Sequence, residues 1–118
     1  MANYHGSCHC GAIQFDLEAP APIDKLFECN CSRCRRGGFL FWFGPRGSIR
    51  ITKGEGATKT YFFHKRTLEH HFCGDCGIAP FSFGDDPQNG PTVAVNVRCI
   101  EDFDFYALES TRFDGASL

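Results

Sequence analysis

The chain has 118 residues, enough for one compact domain, and its 42% hydrophobic and 22% charged residues argue against disorder. The formal net charge of -2 disfavours a nucleic-acid binder, which usually carries a basic surplus. No apolar run is long enough to span a bilayer, and "MANYHGSCHCG" lacks the regions of a secretory signal, so a cytoplasmic protein without a membrane partner is expected.

In chain order the pattern is strand-like. "AIQFDL" (12–17) alternates and is broken by "APAP", and "DKLFEC" then leads into a thiol-rich loop. "FLFWFG" (39–44) is a nearly continuous apolar run, suited to a strand covered on both faces. "SIRIT" (48–52) and "TKTYFF" (58–63) read as further strands on either side of the "KGEG" turn. "LEHHFC" (68–73) enters a C-x-x-C, "APFSFG" (79–84) leaves it, and "DDPQNGP" is a loop. "TVAVNVRCI" (92–100) alternates, with Val93, Val95 and Val97 on one face, and "FDFYAL" (103–108) is a last strand or short extension. Helix signals are few: "CSRCRR" and "CIEDFDF" would each make one short turn. The fold class expected is all-β, as one domain over 1–118, with short antiparallel strands and metal loops between them.

The eight cysteines are the chemical content. They stand at 8, 10, 29, 31, 34, 73, 76 and 99: a C-x-C, a C-x-C-x-x-C, a C-x-x-C and a single. Disulfides need an oxidising compartment, and thiols this close are poorly placed for unstrained bridges within each cluster. Metal binding is the expected use. Gly11 follows Cys10 and Gly77 follows Cys76, as tight metal-binding turns require. Strand alternation would turn Cys8 and Cys10 to one side and His9 away. Cys8, Cys10, Cys73 and Cys76 together make the four thiolates of a closed tetrahedral Zn²⁺ site. A redox dithiol is the plainer alternative for Cys73 and Cys76, but no βαβ pattern surrounds them.

Cys29, Cys31 and Cys34 remain. Three protein ligands are the complement of a catalytic zinc, with water or substrate in the fourth position. A substrate thiol suits that position, because coordination deprotonates it. Arg33, Arg35 and Arg36 would offset the negative unit and bind substrate carboxylates; the bland alternative is a solvated basic turn. Completion of the trio by Cys99 or a histidine would instead make the site structural. By alternation Cys99 joins the valine face as a buried small hydrophobe. His70 and His71 cannot both face inward on a regular strand, and His5 and His64 have no partner at metal spacing. Trp42 and its phenylalanine neighbours read as core, with a pocket wall as the other option.

"GSCHCGAIQFDL", "CNCSRCRRGG", "HHFCGDCGIAPFSF" and "VAVNVRCIED", with the closing "FDG" (113–115), together resemble the glutathione-dependent formaldehyde-activating enzyme (GFA) family, which includes centromere protein V. The resemblance covers roughly residues 6–115. It implies a β-tent of antiparallel sheets with two zinc sites, a structural one on Cys8, Cys10, Cys73 and Cys76 and a catalytic one on Cys29, Cys31 and Cys34. It also implies carbon–sulfur lyase chemistry on adducts of glutathione with aldehydes, of the S-hydroxymethylglutathione type. The competing reading is a non-catalytic zinc module or glutathione carrier. A chromatin or cytoskeletal role would call for a basic or Pro-rich tail, and the sequence shows none.

Overall fold

The computed structural model describes residues 1–62 and 68–117, so His64 and the end of the "TKTYFF" strand lie outside the described residues. Among the described residues ten strands form two sheets. The smaller is ordered β1 (Ala2–Ser7), β2 (Gln14–Ala19), β5 (Ile49–Lys53). The larger runs β10 (Ser110–Phe113), β3 (Leu26–Cys29), β4 (Phe41–Pro45), β9 (Gly90–Asn96), β8 (Phe81–Asp86), β7 (Glu69–Cys73), β6 (Thr58–Tyr61). The sole α-helix of the described residues is α1 (Ser32–Gly37). The all-β expectation holds.

The two sheets bury one core between them. Phe15 and Leu17 from β2 face Phe81 of β8 and Val93 and Val95 of β9, all essentially inaccessible. The Phe15 and Phe81 rings meet edge to face, with centroids 5.9 Å apart at 88°, the arrangement the ring quadrupoles favour. Each such side chain contributes about 1.5–3 kcal/mol on burial. The period-2 pattern of β9 is what delivers its valines to this face.

Several local expectations are corrected. The strand expected over 92–100 ends at Asn96, whose side chain accepts from the Arg98 N–H (3.2 Å) and starts a 3₁₀ turn over Val97–Cys99. Cys99 packs against the core from that turn, not by strand alternation. "FDFYAL" is not a strand: Asp104 accepts from the Tyr106 N–H (3.2 Å) and caps a 3₁₀ turn over Phe105–Ala107. The last strand is β10 instead, and it pairs with β3 in parallel, the one departure from antiparallel order. It sets Phe113 opposite Cys29. The "FLFWFG" run is covered on both faces at Leu40 and Phe41, both buried, but not at Phe43. Trp42 packs toward the core, as expected, whereas Phe43 is left exposed on the other face.

Candidate functional site

The first thiol cluster joins the two sheets. Cys8 and Cys10 lie in the turn after β1, Cys73 ends β7, and Cys76 sits in the turn toward β8. The C-x-C is therefore not on a strand. Cys8 donates its N–H to the Ile13 carbonyl (3.0 Å), Gly11 donates to the Cys8 carbonyl (3.3 Å), and Gly11 takes φ 81° to close the turn. Gly77 does the same for the second pair at φ 80°, donating to the Cys73 carbonyl (2.9 Å). A Cβ at either glycine would be strained in that left-handed region. Backbone N–H groups point at the sulfurs: Ile13 at Cys8 (3.3 Å), Asp75 and Cys76 at Cys73 (3.4 Å each).

All four Sγ atoms lie within 4.8 Å of one another, with Cys8–Cys10 at 3.7 Å and Cys10–Cys73 at 3.6 Å. A tetrahedron with metal–sulfur bonds of about 2.3 Å has edges of about 3.8 Å. The donor set thus fits a closed four-thiolate metal site. Burial opposes ionisation of Cys76, yet N–H groups of Ile78 and Cys10 bring its pKa down to about 6. Cys99 lies beside this cluster, near Cys8 and Cys76, not beside the trio; burial and those two sulfurs push its thiol up to about 12.

The second cluster is built from a strand end and a helix start. Cys29 closes β3, Cys31 caps α1 by accepting from the Cys34 N–H (3.3 Å), and Cys34 is buried in the helix. The three sulfurs lie within 4.8 Å of one another, and among the described residues no fourth Cys, His, Asp or Glu joins them. The set can hold a metal ion through three thiolates. Burial pushes the Cys29 and Cys34 thiols up. Burial opposes Cys31 as well, but the Cys34 N–H and the neighbouring thiols pull it down. Three thiolates this close call for a cation to offset their charge. Arg33 lies half-buried on the far side, its guanidinium 4.3 Å from the Phe39 ring centroid. Burial lowers its pKa while Cys34 and Cys31 oppose that, and its Nη1 has no hydrogen-bond partner among the described residues. A buried guanidinium beside the trio suits an anionic metal–thiolate unit.

The C-terminal segment clamps the trio. Asn30 donates from its backbone to the Phe113 carbonyl (3.2 Å) and from its side chain to Asp114 (3.0 Å), and it accepts from the Ala116 N–H (2.9 Å). Gly115 is thereby pressed against Cys29, so closely that a Cβ there would sit 2.4 Å from the sulfur.

The trio opens into a cavity of about 710 Å³. Its floor is the face of the large sheet turned away from the core: Phe41 and Phe43 of β4, Thr92 and Ala94 of β9, and Ser82 and Gly84 of β8, while the Phe83 ring turns to the core face, where it stacks on Phe81. Leu68, Phe113, Gly115 and Ala116 form the rim, and His70 stands in the wall. His70 bonds through Nδ1 to the Ser82 hydroxyl (2.9 Å). Desolvation, helped by the charges of Arg33 and His71, lowers its pKa to about 4 and keeps it neutral. His71 faces the other way, bonded to Thr58 (3.1 Å) and Glu69 (3.2 Å). Arg35 and Arg36 are exposed on α1 and do not line the cavity; Arg36 donates to the Ser32 carbonyl (2.8 Å) in its own helix.

The structure gathers the seven cysteines in the two groups expected and takes the pocket-wall alternative for Phe41 and Phe43; His70 in the wall and the Asn30–Asp114 clamp went unread. Residue type alone carries no signal for these.

Residues 3–113 match the family described as glutathione-dependent formaldehyde-activating enzyme. The chain belongs to the GFA family. A curated relative in Halomonas elongata (strain ATCC 33173 / DSM 2581 / NBRC 15536 / NCIMB 2198 / 1H9), named putative glutathione-dependent formaldehyde-activating enzyme, is 33% identical over 91 residues, which cover 70% of this chain and 56% of that protein. The chain thus spans little more than half the length of that GFA relative. A crystal structure of a Rhodobacter sphaeroides protein superposes with a TM-score of 0.78 at 29% identity, covering 91% of this chain and 99% of that one. No helix among the described residues is long and apolar enough to cross a membrane.

Proposed function

We propose that this single domain is a two-zinc carbon–sulfur lyase acting on adducts of a thiol such as glutathione with an aldehyde. The observation that carries the reading is the contrast between the clusters: four sulfurs in one, and three in the other where it meets the cavity. Both all-thiolate sets suit zinc. Cys8, Cys10, Cys73 and Cys76 hold the structural ion. Cys29, Cys31 and Cys34 hold the second, and zinc bound there would supply the Lewis acidity that keeps a substrate thiol ionised at neutral pH.

The chain's own contributions are positional. The cavity walls fix the adduct beside the trio and exclude water. In the lyase direction the carbinol hydroxyl gives up its proton, the C–S bond breaks with its electron pair passing to sulfur, and the departing sulfur takes up a proton in balance, releasing aldehyde and thiol. Outside the trio, His70 is the titratable group on the cavity wall among the described residues. Its neutral imidazole is the hydrogen-bond partner we assign to the carbinol oxygen, with Ser82 fixing the ring. Arg36 lies one turn beyond Ser32, which lines the cavity, and with Arg35 is the candidate contact for carboxylates that extend out of it.

The test is turnover of S-hydroxymethylglutathione by protein carrying two zincs per chain, measured against the spontaneous reaction. Acceleration lost in Cys31→Ser supports the reading. Saturable glutathione binding without acceleration would make the protein a carrier instead.

A further inference from the structure

The cavity is far larger and more apolar than one carbon of formaldehyde needs. Among the described residues seven large hydrophobic side chains are exposed, and three of them, Phe43 (47%), Leu68 (48%) and Phe113 (47%), line this one cavity. Ala94, opposite Phe43 in the sheet, continues the same surface beside them. A folded protein rarely gathers exposed apolar groups in one place without a ligand to cover them. A volume of about 710 Å³ also lies within the range of sites that enclose a whole small molecule. The aromatic face is ordered rather than incidental. Phe43 contacts Phe41 (centroids 5.7 Å) and Phe27 (5.4 Å), which fix its ring at the cavity surface. The trio and Ser32 belong to the helix that bears the exposed arginines and to the strand before it, while His70, Ser82 and Thr92 add polar groups to the wall and floor.

We infer that the aldehyde component of the adduct carries a bulky apolar group, aromatic by preference, which lies along the Phe43–Leu68–Phe113 surface while the sulfur sits at the trio. This rests on the lyase reading above and names the substrate class of the same site. The polar portion of the thiol then extends past α1 toward solvent. The bond change is the one already written: R–S–CH(OH)–R′ gives R–SH and R′–CHO, with R′ an arylmethyl or other bulky apolar group in place of hydrogen. No oxidant or further reactant is required. An R′ of hydrogen leaves the apolar surface wetted and gains nothing from it, whereas an arylmethyl R′ exchanges that water for ring contacts.

The experiment compares two adducts of glutathione, formed with formaldehyde and with phenylacetaldehyde, on the zinc-loaded full chain. Exchange between adduct and free aldehyde is followed by NMR against protein-free controls. The expected kcat/KM for the phenylacetaldehyde adduct is roughly ten-fold or more above that for the formaldehyde adduct. Phe43→Ser and Phe113→Ser, both at solvent-exposed positions, are expected to shrink that ratio several-fold, with metal content and circular dichroism confirming the fold. Equal or reversed preference, or a ratio that neither variant moves, overturns the inference and leaves the lyase reading standing. Acceleration of neither adduct overturns the lyase reading, and this inference with it.

Discussion

Gly115→Ala should cost the chain its second metal and spare the first. The added Cβ would stand 2.4 Å from the Cys29 sulfur, where ordinary non-bonded contact between heavy atoms lies at about 3.5–4.0 Å. More than an ångström of overlap must be relieved. The loop cannot simply retreat, because Asn30 holds it by hydrogen bonds on both sides of Gly115, to Phe113 and Asp114 and from Ala116. Nor can Cys29 turn away without leaving the trio. Overpacking of this kind costs about 1–3 kcal/mol, which as lost affinity is roughly a five- to hundred-fold weaker second site. Chelator competition with a chromogenic zinc indicator, read as two release steps, measures it. Gly47→Ala, where a Cβ meets nothing within 4 Å, is the control. Two metals held by Gly115→Ala with wild-type affinities would refute the reasoning.

Other outcomes follow from the same geometry. Cys73→Ser should abolish cooperative folding, because it removes the sulfur through which the β1 turn meets the β7 end, whereas Cys29→Ser should keep the fold and hold one metal; calorimetry with metal analysis separates them. Arg33→Gln should weaken the second site more than Arg33→Lys, read as zinc affinity, since it removes the buried positive charge beside Cys34. The His70 imidazole resonances should stay constant from pH 8 to about 5, because burial holds the ring neutral with a pKa of about 4. The sign for stability follows: the unfolded chain takes the proton first, so this group's contribution is intact above its ordinary pKa of about 6.5 and is lost as pH falls toward 4. A His70 midpoint near 6.5 would contradict the desolvation.

The strands were readable where one face is buried, as with Val93 and Val95, because burial imposes a period of two. The ligand sets were readable because thiols at knuckle spacing have few other uses. Local hydrogen bonds were not. Asn96 and Asp104 each stop a strand-like pattern by capping a 3₁₀ turn with their own side chains. The parallel pairing of β10 with β3 joins segments more than eighty residues apart, a distance over which periodicity carries no information. Phe43 reads from sequence as core or pocket wall, and only the sheet order decides for the wall, since its ring stays exposed. His70 and His71 show the same limit. Alternation says that one of them faces inward, but not that the inward face is a cavity wall shared with the trio.

The most direct measurement is a crystal structure of the zinc-replete chain soaked with glutathione. The account predicts two metals, the first bound by four protein sulfurs and the second by Cys29, Cys31, Cys34 and the glutathione sulfur at about 2.3 Å. A second metal closed by a fourth side chain of the polypeptide, or a trio that takes up no metal at all, would contradict it.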